Sequence, residues 1–104
     1  MPDLSLDAFE ASFAGQAPPP GLSPALAGLW HMARSDWEQA HRLVQDDEGK
    51  EAAWVHAHLH RVEGDLANAG YWYRRASKPV ASGDFAAERH AIAAALFGGA
   101  PISA

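Results

Sequence analysis

The sequence contains no cysteine. This absence excludes a disulfide-stabilised scaffold, a thiolate metal site and a cysteine nucleophile. Long apolar runs are missing as well, because the longest, Ala91 to Phe97, is far too short to cross a bilayer. The first residues are acidic where a secretory signal is basic. These features predict a small cytoplasmic protein without a membrane segment.

Motifs for common reactions are also absent. The chain contains no Gly-x-Ser-x-Gly elbow, no P-loop and no EF-hand loop. A net charge of −5, from 13 acidic and 8 basic residues, argues against a nucleic-acid-binding protein. The charge is uneven: residues 1–49 carry eight acids and two bases, and residues 50–104 carry five acids and six bases. The sequence therefore favours a non-catalytic protein that needs no cofactor.

Nearly every local signal in the chain is helical, which predicts an all-α fold of about six helices. We expect a single domain over residues 1–104. An N-terminal helix and a proline-rich connector would occupy residues 1–22, two helical hairpins residues 23–79, and a C-terminal capping helix residues 80–104.

Several helix ends are predicted from single residues or short runs. Asp3 precedes an apolar series and is expected to cap the first helix. Gly49 follows an acidic run and is expected to take the left-handed conformation of a helix end. The run Gly98-Gly99-Ala100-Pro101 is expected to end the last helix.

The chain contains an internal repeat with an offset of 29 residues, since Gly28–His41 aligns with Ala57–Gly70. The two turn signals, Ser35-Asp36 and Gly64-Asp65, coincide in this alignment. A fixed period with a turn at its middle predicts stacked helical hairpins, neither of which buries its apolar face alone.

The run from Gly64 to Ala69, followed by Tyr73, Ala76 and Pro79, resembles the second half of a tetratricopeptide repeat. Ser35 to Val44 resembles a second, weaker copy, so the resemblance covers about residues 24–79. It departs from the family in its period of 29 residues, where the family has about 34. The resemblance implies two hairpins whose first helices line a concave binding groove.

A second resemblance covers Trp54 to Ala76. This segment is similar to a stretch, WVHAxLHRxEGDxxNAxYWYRRA, shared by short bacterial proteins. The likeness implies a bacterial relative but no activity.

By the tetratricopeptide resemblance, the groove would receive Leu29 and Met32 from the first hairpin and Trp54, His58 and Arg61 from the second. The last three share one helix face by their spacing. An aromatic ring, an imidazole and a guanidinium on one surface suit a binding hot spot. In the alternative, the first or last helix of the chain fills the groove.

An aromatic and basic run continues through the fifth predicted helix. Successive helical residues point about 100° apart, so Tyr71, Trp72 and Tyr73 cannot all face the same way. We expect Trp72 and Tyr73 in the core. Tyr71, Arg74 and Arg75 would then be surface residues that suit an acidic protein or peptide partner, with a solvated helix face or RNA stacking as alternatives.

A histidine-rich helix carries the alternative function. His56, His60 and Glu63 project from one helix face and form a usable ligand set for zinc or another divalent ion, with His31 or Asp65 as a fourth ligand. Helical packing explains the same spacing, so we expect these rings to pack between helices and to bind no metal tightly.

Three tryptophans, Trp37, Trp54 and Trp72, occupy helix-facing positions and are predicted to be mostly buried. The leading function that the sequence predicts is a non-catalytic protein–protein interaction module, because stacked hairpins present extended surfaces. The alternative is a small metal-binding protein.

Overall fold

The computed structural model describes residues 4–98, which form six α-helices, one 3₁₀ turn at Ser12–Ala14 and no strand. The predicted all-α class is confirmed. No helix in this range combines the length and the apolar character that a membrane span needs. The helices are α1 (Leu6–Ala11), α2 (Pro24–Ala33), α3 (Trp37–Val44), α4 (Lys50–Glu63), α5 (Leu66–Ala76) and α6 (Phe85–Leu96).

Helices α2 and α3 form one hairpin, and α4 and α5 form the next. The Asp36 amide donates to the His31 carbonyl at 2.9 Å, and 29 residues later the Asp65 amide donates to the His60 carbonyl at 2.9 Å. The side chains of Asp36 and Asp65 then each accept a hydrogen bond at 3.2 Å from the amide three residues onward. The internal repeat is therefore present in the backbone hydrogen bonds of both turns.

The left-handed residues that end helices are not all where we predicted them. Ser35 (φ +64°) and Gly64 (φ +93°) occupy equivalent places in the two turns. Gly49 was expected to be left-handed and is instead extended, with φ −73°. Gly49 is the N-cap of α4, and its amide donates to the Asp47 carboxylate at 2.8 Å.

The first helix begins later than the sequence predicted. Its N-terminal cap is Ser5, whose hydroxyl accepts a hydrogen bond from the Ala8 amide at 3.0 Å. Asp3, the predicted cap, lies outside the described residues, as do Gly99, Ala100 and Pro101 of the predicted C-terminal stop.

The main core contains Trp30, which is only 2 % exposed, surrounded by apolar side chains from α1, α2, α3, α4 and α6. Trp37, Trp54 and Trp72 are mostly buried, as predicted, although each keeps part of its side chain exposed and none is as fully enclosed as Trp30. Each packs against a core cluster and also contacts a polar side chain, namely His41 for Trp37, Lys78 for Trp54 and Arg75 for Trp72. Fully buried neighbours of Trp30 include Phe9, Leu29, Val44, Val55, Leu59 and Ile92.

Gly28 allows α2 to approach α3 and α4 closely, because a Cβ atom there would lie 3.0 Å from Val44 Cγ1 and 3.2 Å from Val55 Cγ1. We expect Gly28→Leu to lower the free energy of unfolding by about 1–3 kcal/mol, the usual cost of overpacking a core. Urea-induced unfolding measures this change.

Gly70 provides the matched control, since it is also inside a helix but a Cβ there meets only the Arg74 side-chain tip at 3.6 Å. Gly70→Leu is expected to leave stability unchanged or to raise it by up to about 1 kcal/mol through helix propensity. Equal destabilisation by the two substitutions would contradict the close approach at Gly28.

Candidate functional site

The predicted groove is closed, because α6 packs on the face of α4 that would line it. His58 is completely buried and Arg61 nearly so, whereas Trp54 stays half-buried. The expectation that His58 and Arg61 present an open face to a partner is therefore corrected. Of the alternatives that the sequence left open, the structure shows the one in which the last helix fills the groove.

Glu88 of α6 explains why His58 and Arg61 are buried. Its Oε1 atom lies 2.8 Å from His58 Nδ1 and accepts a hydrogen bond from Arg61 Nη1 at 2.9 Å. Its Oε2 atom accepts a hydrogen bond from the Tyr73 hydroxyl. Arg61 also donates to the Gly83 carbonyl, so one guanidinium binds both α6 and the loop before it. This buried carboxylate fastens α6 to the α4–α5 hairpin.

The surroundings of Glu88 favour the ionised form of its carboxyl group. Burial acts to raise the pKa of this carboxyl, but hydrogen bonds from His58, Tyr73 and Arg61 outweigh it and hold the pKa below its usual value. Burial and the bond to Glu88 raise the pKa of Tyr73, which remains a hydrogen-bond donor. All four groups are thus engaged with one another and act as a structural clamp.

Glu88 could have been found in the sequence. It lies four residues before Ile92, so the two side chains fall on the same face of the helix. A carboxylate there needs partners, because an unpaired buried charge is very costly.

A second cluster lies between α3 and α4, where the imidazoles of His41, His56 and His60 meet. Nε2 of His56 is 3.0 Å from Nε2 of His41. The rings of His56 and His60 stack with their centroids 4.8 Å apart. One ring nitrogen from each histidine lies within 4.8 Å of the other two, so the three side chains could hold one metal ion.

Two half-buried tryptophans enclose these imidazoles. Trp37 stacks on His41 with ring centroids 4.8 Å apart, and Trp72 stacks on His56 at 3.9 Å. The Trp37 indole donates to the Leu59 carbonyl at 2.7 Å, which fixes its ring against α4. Burial, with repulsion from neighbouring imidazoles, lowers the pKa of His41 and lowers the pKa of His56 to about 3.

The structure changes the ligand set that the sequence predicted. His56 and His60 do come together, but Glu63 contacts the outer side of His60, with its Oε1 atom 2.8 Å from Nδ1. His41 supplies the third imidazole. His41 follows Trp37 by four residues on the same helix face, which explains why their rings stack, but its approach to His56 depends on how α3 and α4 pack. His31 packs on Trp30 and belongs to no metal-ligand group among the described residues.

The basic face of α5 lies where the sequence placed it. Tyr71, Arg74 and Arg75 are exposed. Arg75 donates to the Tyr71 hydroxyl at 2.9 Å and its guanidinium lies 5.2 Å from the Trp72 ring centroid. Tyr73 is buried as predicted, and Trp72 is half-buried rather than in the core.

An apolar cleft lies beside Trp54, between the end of α5, the following loop and α6. It consists of two adjoining cavities of about 330 and 350 Å³, and both are lined by Trp54 and Lys78. The Lys78 ammonium lies over the Trp54 ring, 4.3 Å from its centroid. Val80, which is 67 % exposed, and Ile92 line the second cavity. We call this feature the Trp54 cleft.

Comparisons with family models, with curated proteins and with solved structures found no match.

Proposed function

We propose that this protein is a non-catalytic interaction module that binds a short acidic peptide segment with apolar side chains in the Trp54 cleft. The observation that carries the proposal is the combination of apolar walls with two lysines. Lys50 lines one end of the cleft, beside Glu51, and Lys78 lines both cavities, whereas the carboxylate of Glu88 in the second cavity is already paired with Arg61. Of the predicted groove residues, Trp54 alone keeps this role, since His58 and Arg61 bind Glu88.

Charge complementarity supports an acidic partner. The chain has a net charge of −5, yet Lys50, Arg74, Arg75 and Lys78 make up half of its eight basic residues. Lys50 and Lys78 line the cleft, and the two arginines form the last turn of α5 just before it. A local positive potential on an acidic protein guides an acidic segment to this end of the molecule.

The size of the cleft supports a peptide rather than a large cofactor. Cavities of about 330 and 350 Å³ are at the lower end of small-molecule pockets, which span about 300–1,000 Å³. Each has room for an apolar side chain, and Lys78 lines both. Nucleic acid is a poorer partner, because the acidic surface of the rest of the chain repels phosphate.

We also propose that the hairpin pair is of the tetratricopeptide type, in a cytoplasmic bacterial protein. The matching hydrogen bonds of the two turns, 29 residues apart, support the hairpin type. The lack of cysteine supports the compartment. In this proposal α6 occupies the groove that such arrays use, and binding shifts to the neighbouring cleft.

A fluorescently labelled peptide tests the proposal. The probe carries leucine and phenylalanine flanked by aspartate and glutamate, and its anisotropy is followed as protein is added. We expect saturable binding that weakens with salt, as ion pairs are screened. Lys78→Glu is expected to weaken binding about tenfold or more, because it places a like charge against the acidic residues.

Arg42→Glu is the matched control, since Arg42 is exposed on α3 and lines neither cavity. It changes the net charge equally and is expected to leave the affinity within about twofold. An equal loss of peptide affinity in the two variants would mean that binding depends on the net charge of the protein and not on the cleft. Equal binding of a peptide in which lysine replaces every acidic residue would also contradict the proposal.

A further inference from the structure

The three imidazoles between α3 and α4 already have nearly the spacing of metal ligands. A divalent ion bound tetrahedrally at 2.0–2.1 Å would hold two ring nitrogens about 3.4 Å apart. Nε2 of His41 and Nε2 of His56 are 3.0 Å apart, and the nitrogen of His60 lies within 4.8 Å of both. Small ring rotations therefore convert the cluster into a three-nitrogen site.

Glu63 fixes the orientation of one ligand. Its carboxylate oxygen lies 2.8 Å from Nδ1 of His60 and accepts a hydrogen bond from that nitrogen. The Nε2 atom of His60 is then unprotonated and available as a ligand. Histidines that bind metal commonly donate their other nitrogen to a carboxylate in this way, which sets the tautomer and increases the basicity of the ligand.

The other two rings are held by stacking. Trp72 covers His56 with an interplanar angle of 16°, and Trp37 covers His41 with an angle of 8°. Such clamping reduces the entropy that the side chains lose when they bind an ion.

His56 is incompletely satisfied by the protein itself. The residue is only 4 % exposed, and its Nδ1 atom has no hydrogen-bond partner among residues 4–98. Nε2 of His58 in the Glu88 clamp is unpaired in that range as well, so an unpaired buried nitrogen is not by itself a sign of a ligand. The atom of His56 that would face the ion is Nε2, and within residues 4–98 its hydrogen-bond partner is another imidazole, that of His41.

We propose that His41, His56 and His60 together bind one late first-row divalent metal ion of the zinc type, with Glu63 as the residue that positions His60. This proposal replaces the expectation from the sequence that the histidines bind no metal tightly. Neutral imidazoles suit zinc, copper and nickel, whereas magnesium and calcium prefer oxygen ligands. Three protein ligands leave a fourth position for water or an external ligand, as in zinc sites that are not purely structural. This site is separate from the Trp54 cleft.

A competing group, His60, Glu63 and Asp65, lies on the outer side of the same helix end. Two of its members are exposed carboxylates that already have roles. Asp65 caps α5 by accepting from the Asn68 amide at 3.2 Å, and Glu63 holds His60. The inner three-imidazole set therefore fits the ion better, and the two sets are distinguished by their variants.

The experiment uses tag-free protein stripped of metal and titrated with zinc in a calorimeter, and with cobalt in a spectrophotometer. We expect one ion per chain and the intense visible absorption of four-coordinate cobalt. His41→Ala and His60→Ala are each expected to weaken zinc binding at least 100-fold and to abolish that absorption. Glu63→Gln is expected to weaken binding by about 10–100-fold while the stoichiometry stays at one ion.

His90→Ala is the control, because His90 pairs with Glu10 at an exposed position and belongs to no metal-ligand group in the described part of the chain. It should bind zinc as the parent does. If His60→Ala fails to fold by circular dichroism, His41→Ala decides, since the His41 ring is only partly buried. Unchanged zinc affinity in folded His41→Ala, or loss of binding in Asp65→Asn alone, would overturn the proposal, as would the absence of stoichiometric binding.

Discussion

Replacing Glu88 with alanine is expected to lower the free energy of unfolding by about 3–5 kcal/mol, because it leaves the buried Arg61 without its counter-charge. Glu88 is 8 % exposed and receives hydrogen bonds from three side chains on α4 and α5. The loss is a large part of the 5–15 kcal/mol that stabilises a typical small domain, about one fifth or more. Guanidinium-induced unfolding measures it, followed by circular dichroism.

Glu10→Ala is the matched control, because Glu10 also pairs with a histidine, His90, at 2.7 Å but at an exposed position. Surface ion pairs contribute about 0–1 kcal/mol, so this variant should unfold close to the parent. A Glu88→Ala protein with the unfolding midpoint of Glu10→Ala would contradict the clamp.

The pH dependence of the free energy of unfolding is a second test of the role of Glu88. The pKa of Glu88 in the folded protein lies below its ordinary value of 4.5, because hydrogen bonds outweigh the effect of burial. Its stabilising contribution is therefore complete above pH 4.5 and is lost as the pH falls through the lower, folded-state pKa. From about pH 5 to about pH 2, the parent should lose more stability than Glu88→Gln, which has no proton to gain.

Trp30→Ala is expected to cost about 3–5 kcal/mol, the usual penalty for removing a large aromatic side chain from a core. Trp30 is 2 % exposed, and its indole nitrogen donates to the Ser12 hydroxyl at 3.0 Å, so the substitution leaves a cavity and removes this hydrogen bond. Thermal unfolding monitored by circular dichroism should show a greatly lowered midpoint.

Trp72→Ala tests whether burial, rather than residue type, sets that cost. Trp72 is half-buried and contacts His56 and Arg75 at the edge of α5. It should lose clearly less stability than Trp30→Ala, because the cost of truncation follows the volume of the cavity that remains. A larger loss for Trp72 would mean that the core is placed wrongly.

The turns of this fold can be predicted from the sequence because they depend on local chemistry. Asp36, Asp65 and Asp84 each precede a helix, and in the structure each accepts a hydrogen bond from an amide three residues onward. Gly64 ends α4 with a left-handed φ of +93°, as a glycine in that place predicts. Gly49 was predicted to end a helix in the left-handed conformation, but it precedes α4 as its N-cap and has an extended backbone. Its amide donates to the side chain of Asp47.

The closed groove could not be predicted, because it depends on how distant elements pack. The spacing of His58 and Arg61 correctly places them on one face of α4, but spacing does not show what covers that face. Glu88, 27 residues beyond Arg61, provides the cover. The spacing of residues within one helix predicts which side chains share a face. Whether that face is exposed to solvent depends on which other helix packs against it.

The histidine cluster, too, could be predicted only in the part that lies within one helix. The i, i+4 spacing of His56 and His60 predicts that they lie together, and they do. The third ring, that of His41, comes from another helix and depends on the crossing of α3 and α4. Its stacking on Trp37 is local, but its approach to His56 is a tertiary contact.

Hydrogen exchange measured with and without a bound acidic peptide tests the central claim, that α6 closes the groove and a partner binds in the Trp54 cleft. We predict slower exchange at the start of α4, in residues 76–82 and along the cleft side of α6, with α6 remaining protected throughout. Faster exchange in α6 on binding, together with new protection in α2 around Leu29 and Met32, would mean that α6 leaves and the groove itself is the binding site.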